Sequence, residues 1–307
     1  MQQPVLGWMP APETTRQSSY QMTFIRLTGT SLPFLLLLGM ALLLTGCSSR
    51  FVYNQLDWML PWYIDDYVTV KTHQEPKLEK QIDQLLLWHR TQQLPEYATF
   101  VEDLKSLVNT PPSSKKVETA IDDLDAFIDA IYLGVGNHFV PLAETLSREQ
   151  KTEFIGNLTE KNIEYAAEYV NIGEATAREK GAQKMTDIFT DWLGNLTDDQ
   201  VFMIERFAQS TEWMSPGLLH ARQQWTKALN QSLLPPHSNN PGSGVLKLFE
   251  NRKMFWSPRL KAQFEKNRVL LATLLNKMIG SMDAEQKQHL LNKLDGYQTD
   301  FMALSRQ

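Results

Sequence analysis

Along almost the whole chain apolar residues recur three or four positions apart, and no stretch sustains an alternation of period two. That spacing covers one face of a helix, so strands are not expected. Val52, Leu56, Met59, Tyr63, Tyr67 and Val70 form a first stripe, which Pro61 should kink or restart. Leu78, Ile82, Leu85 and His89 form the next. Tyr97, Phe100, Val101, Leu104 and Val108 follow a Pro95 suited to the first turn of a helix. After the break at Pro111-Pro112-Ser113-Ser114 the pattern resumes with Val117, Ile121, Leu124, Ile128 and Ile131. The expected fold is all-α, an elongated multi-helix body with one or more long helices. With 307 residues, 42% of them hydrophobic, it can bury a substantial core in one large domain or two small ones.

Three short echoes mark helix starts. Leu146-Ser147-Arg148-Glu149-Gln150, Leu196-Thr197-Asp198-Asp199-Gln200 and Met282-Asp283-Ala284-Glu285-Gln286 each place a capping oxygen three residues before a glutamine. This is the capping box, in which the two side chains satisfy backbone N–H groups that a helix start leaves unpaired. Helices are therefore expected to begin near 147, 197 and 283. Gly194, after Trp192-Leu193, is placed as a C-terminal cap. If Gly173 and Gly181 do not interrupt it, the span 148–193 makes one rod of roughly 70 Å at the helical rise. Gly134-Val135-Gly136 reads as a helix end, and residues 235–244, rich in Pro, Ser, Asn and Gly, as a loop within one body.

The segment 32–44 is a charge-free apolar run of 13 residues, closed by Leu44-Thr45-Gly46-Cys47. It is too short to span a bilayer, which takes ~20 residues. With Arg26 before it and small residues after it, it reads as a cleaved signal peptide covering residues 1–46, whose true start is better placed at Met22. The ending resembles the bacterial lipobox. That resemblance implies cleavage after Gly46 and acylation of Cys47, the kind of modification that carries palmitate. Ser48, where an Asp would favour inner-membrane retention, implies the outer membrane and a periplasm-facing body at 47–307. Removing Glu13, Arg16 and Arg26 leaves 34 acidic residues against 28 basic ones. An acidic body lacks the basic stripe of a nucleic-acid binder.

Catalytic signatures are sparse. A single cysteine excludes a disulfide framework and any thiolate-rich zinc site. No two of the six histidines are three or four residues apart, and the chain has no nucleophile elbow or phosphate loop. No metal, cofactor or catalytic residue is assigned. The best polar constellation is Trp88-His89-Arg90 with Asp65 and Asp66. His89 lies on the apolar stripe of its helix and needs a hydrogen-bond partner there. A carboxylate-oriented imidazole could act as a general acid or base. A polar lock between the first helices is the favoured reading of the same residues. Glu118, Asp122, Asp125 and Asp129 form an acidic stripe, read as a solvated face before a site for cations or a basic partner. The aromatic group Phe51, Tyr53, Trp58, Trp62, Tyr63 and Tyr67 suits a membrane interface, although packing on later helices is favoured.

Tyr53-Asn54-Gln55-Leu56-Asp57-Trp58, Trp62-Tyr63-Ile64-Asp65-Asp66-Tyr67 and Trp88-His89-Arg90, followed by Leu94-Pro95-Glu96-Tyr97-Ala98, resemble the signatures of a family of uncharacterised proteobacterial lipoproteins, defined as a domain of unknown function. The resemblance extends over most of 47–307 and implies location and helical fold, with no activity attached. A weaker one, through the Leu-Thr-x-x-Gln boxes, is to small periplasmic stress chaperones and implies client proteins held on helices. The expected function is therefore a non-enzymatic outer-membrane lipoprotein that binds or scaffolds an envelope protein or another periplasmic component. The alternative is an envelope hydrolase or transferase using His89 with Asp65 or Asp66.

Overall fold

The computed structural model describes residues 47–234 and 241–307, and among them every regular element is a helix. Twelve α-helices follow in order among the described residues: α1 (Cys47–Tyr53), α2 (Leu56–Asp65), α3 (Glu75–Trp88), α4 (Leu94–Asn109), α5 (Ser114–Ala143), α6 (Arg148–Tyr169), α7 (Gly173–Leu193), α8 (Asp198–Ser210), α9 (Ser215–Leu233), α10 (Pro241–Glu250), α11 (Pro258–Ser281) and α12 (Ala284–Leu304). A single π-helical turn, His89–Gln93, joins α3 to α4 without a break. Leu94 N–H reaches back to the His89 carbonyl, and Pro95 has no N–H to lose from the slipped register.

Several expectations change. Pro61 sits inside α2, and the break falls instead at Asn54–Gln55. The 148–193 rod is two helices, because the chain turns at residues 170–172 and Gly173 takes φ +79°, a left-handed value that favours glycine. Gly181 leaves α7 uninterrupted, and Gly194 ends it at φ +81°. Gly134 and Gly136 lie within α5. A Cβ at Gly134 would stand 2.4 Å from Trp88 Cζ3, and one at Gly136 2.5 Å from Phe249 Cβ, so the pair lets neighbouring helices approach α5. Of the loop at 235–244, residues 241–244 already belong to α10.

α5 is the central strut and packs against α3, α4, α10 and α11, while α4 runs against α12 and α6 against α9. It is long and apolar enough by composition to cross a bilayer. Yet its acidic stripe faces basic side chains of this same chain. Asp125 and Asp129 bind Arg252, Asp125 also binds Lys253, and Asp122 binds Arg268 at 2.6 Å. One core cluster gathers Leu56, Leu60, Ile82, Leu94, Tyr97 and Phe301; another gathers Leu229, Leu233, Val245, Leu248 and Phe249. α1 is tied to α12 by the Arg50–Asp300 ion pair at 2.5 Å.

All three capping boxes form, at Ser147, Thr197 and Asp283. Their glutamines go further than capping. Gln200 and Gln286 are buried and exchange carboxamide hydrogen bonds at 2.9 and 2.8 Å, while each oxygen accepts the N–H of its own cap. The remaining donor contacts reach Ser281, through both its O and its Oγ, and Asn195 O, each residue two before the partner's cap. Gln150 makes the same reciprocal pair with Gln74, at 3.1 and 2.7 Å, and the donors also reach Thr145 O and Thr69 O. Gln74 accepts Lys71 N–H as a box glutamine would, but Lys71 has no side-chain oxygen to advertise it.

Each pair leaves no carboxamide hydrogen of its own without an acceptor, so losing one glutamine orphans several buried groups. Gln200→Leu or Gln286→Leu should each cost about 1–3 kcal/mol, and the double variant less than their sum. Urea unfolding of the four proteins measures this.

Candidate functional site

Between the two larger clusters the helices form a half-open cavity of about 400 Å³. α2 contributes Leu60, Tyr63 and Ile64, and the turn after it Tyr67; α3 Leu78 and Ile82; α5 Tyr132, His138 and Phe139; α6 Phe154, Asn162 and Tyr165; α9 Ala221, Arg222, Trp225 and Thr226; Phe249, Arg252 and Trp256 close the wall. The volume falls within the ~300–1,000 Å³ of small-molecule sites, and so does the mixture of an aromatic wall with a few polar groups.

The polar groups are ordered. Arg222 Nε donates to Asn162 Oδ1 at 3.1 Å, and Asn162 Nδ2 donates to Thr226 Oγ1 at 3.1 Å. The guanidinium lies over the Tyr165 ring, 4.9 Å from its centroid. Burial pulls the Arg222 pKa below its ordinary value, with the nearby tyrosines acting in the opposite direction. Burial also raises the pKa of Tyr132 and Tyr165, so both phenols stay protonated. The Tyr63 and Tyr67 hydroxyls share a hydrogen bond of 2.9 Å. His138 Nδ1 lies 3.3 Å from Gln81 Oε1, and burial lowers its pKa.

The constellation at Asp65, Asp66, Trp88, His89 and Arg90 is arranged differently from its sequence reading. His89 is 2% exposed and hydrogen-bonds through Nδ1 to the buried Tyr53 hydroxyl at 2.8 Å. Its ring stacks on Tyr53 and meets the edges of Trp88 and Tyr97. Arg90 lies over the Tyr53 ring at 5.4 Å. Asp65 and Asp66 are exposed at the end of α2 and form no hydrogen bond or ion pair with His89 or Arg90. Trp88, His89 and Arg90 are thus brought together around Tyr53, and the two carboxylates stand apart. His89 Nε2 has no hydrogen-bond partner among the described residues. The aromatic group also divides: Tyr53 is buried, Tyr63 and Tyr67 line the cavity, and Phe51, Trp58 and Trp62 are 68%, 47% and 65% exposed. Cys47 begins α1, whereas Gly46 and the rest of the signal segment lie outside the described residues. No group of three or more metal-ligating side chains occurs among the described residues.

The family model that matches this sequence spans residues 66–261, from beside Tyr67 to past Trp256, and therefore covers most of the cavity wall. The chain belongs to the family of unknown function DUF6279. The match covers most of 47–307, as the sequence signatures implied, and leaves α1, α2, most of α11 and α12 outside. No curated protein and no solved structure matches the chain. Within the DUF6279 region the cavity residues Asn162, Arg222, Trp225 and Thr226 were not singled out by sequence reasoning. The available signal was an arginine on the apolar stripe of Leu218, Ala221, Trp225 and Leu229.

Burial lowers the His89 pKa from 6.5 to about 3, and Arg90 adds to the effect. Between those values the unfolded chain binds a proton that the folded chain refuses, so this contribution to stability is full above pH ~6.5 and falls away toward pH 3. The double variant His89→Phe/Tyr53→Phe removes both partners of the buried bond. Its melting temperature should drop less than the parent's between pH 7 and pH 4, as followed by circular dichroism.

Proposed function

We propose that this DUF6279 protein is a non-enzymatic binding protein of the bacterial envelope, tethered through an acylated Cys47 and taking an apolar or amphipathic small molecule into its helical body. The observation that carries the reading is the cavity of about 400 Å³ with its aromatic wall. A concave apolar space of this size, open on one side and lined by aromatic rings with a few ordered polar groups, has the character of a small-molecule site. Its walls come from six helices far apart in sequence, which makes it a property of the whole body.

The tether rests on the sequence: the apolar run at 32–44, the lone cysteine after Leu44-Thr45-Gly46, and Ser48 in the sorting position for the outer membrane, facing the periplasm. Acyl chains each contribute ~0.8 kcal/mol per buried methylene, and more than one chain makes release negligible. Labelled palmitate should enter the parent and not Cys47→Ser, and the variant should leave the outer-membrane fraction.

For the cavity, N-phenyl-1-naphthylamine should brighten on adding the full chain. Ala221 is a buried wall residue, so Ala221→Trp places an indole in the space the probe needs. The variant should bind the probe about tenfold more weakly, equivalent to ~1.4 kcal/mol, at unchanged helical content. Equal brightening by both proteins would remove the cavity as the binding site.

A further inference from the structure

Two arginines line the cavity, and they are partnered in opposite ways. Arg252 is held by both Asp125 and Asp129. Arg222 has one polar bond, from Nε to Asn162, and a ring contact with Tyr165; among the described residues no carboxylate stands within ion-pairing distance of it. Its two terminal nitrogens donate no hydrogen bond to any described residue. Among the described residues no aspartate or glutamate lines the cavity. A partly buried guanidinium without a counter-ion, facing an apolar wall, offers an arriving anion a charge-assisted partner. The guanidinium fork suits a carboxylate or phosphate because it presents parallel N–H donors to paired oxygens.

We infer that the cavity selects a single-tailed amphiphile with an anionic head, a carboxylate or a phosphate, whose head is bound by Arg222 and whose tail lies along Leu60, Ile82, Phe139, Phe154 and Phe249. This rests on the cavity being a binding site, as proposed above, and adds the chemistry of what it takes. Tyr132 and Tyr165, whose phenols stay protonated, stand near the same guanidinium and bring no negative charge to compete with the head group. The rest of the wall is dominated by apolar and aromatic side chains, which a hydrocarbon tail covers without leaving buried polar groups unpaired.

The test uses the full chain isolated from membranes and held in phosphatidylcholine nanodiscs. It is titrated calorimetrically with octanoate, octyl phosphate, 1-octanol and octylammonium, with empty nanodiscs subtracted. At least one anion should bind about tenfold or more tightly than 1-octanol, and octylammonium should bind more weakly than either. The octanoate and octyl phosphate arms decide between the two head groups. Arg222→Met should abolish the preference for the anion while 1-octanol stays within about twofold of the parent. An arginine that only braces α9 against α6 would lower the melting temperature without changing the ranking. Equal binding of octanoate, octyl phosphate and 1-octanol by the parent, or a preference that survives Arg222→Met, overturns the head-group inference and leaves the cavity reading standing. If none of the four binds beyond empty nanodiscs, the cavity reading itself falls. Should Arg222→Met lose the parent's circular dichroism spectrum, Arg222→Gln replaces it and is held to the same two outcomes.

Discussion

A buried carboxamide must place two donor hydrogens and the lone pairs of one oxygen, and four glutamines in this protein do so by pairing with one another. Gln74 with Gln150, and Gln200 with Gln286, join helix starts that are 76 and 86 residues apart in the chain. Each pair clamps two interhelical turns through carbonyls and cap N–H groups, so the turns cannot slide independently. The first clamp fixes the entry to α3 and α6, both of which wall the cavity; the second fixes α8 against α12 beneath a separate apolar cluster around Ile204 and Met278. The helices gain their relative positions from these polar anchors as well as from apolar burial, which is non-directional.

The cavity follows from how α5 is crowded. Gly134 and Gly136, within one turn and on nearly opposite faces, admit Trp88 and Phe249 to within contact of the α5 backbone. Beside that approach, large rings at Tyr132, Phe139, Phe154 and Trp225 hold the surrounding helices apart. The ion pairs of Asp125 and Asp129 with Arg252 secure the end of α10 to α5, and in doing so neutralise one of the two cationic groups at the cavity. Arg222 is left as a cation whose charge no described wall residue balances, which gives an otherwise greasy space a chemical direction.

His89 shows how a correct local reading can miss its partner. Its place on an apolar stripe said that it would be buried and in need of a hydrogen bond. The partners expected from the sequence were the carboxylates at 65 and 66, yet the bond is made by Tyr53. α2 ends with Asp65 and Asp66 in solvent, where ionised groups keep their hydration, while a neutral phenol enters the core at lower cost. The exposure of Phe51, Trp58 and Trp62 is likewise a matter of which face of α1 and α2 meets α3 and α12, something that composition leaves open.

What the residues determine by themselves is whatever depends on neighbours in the chain. Helical periodicity, the three capping boxes and the turn at Gly194 are local free-energy preferences, and all were legible before any coordinates. The Lys71–Gln74 box was not, because its cap lacks the oxygen that identifies one. Tertiary structure alone decided the glutamine pairs, the partners of the acidic stripe, the role of Gly134 and Gly136, and the cavity with its unbalanced arginine. Each of these joins residues tens to more than a hundred positions apart, and no local preference encodes which distant helix faces will meet once the apolar surfaces are driven together.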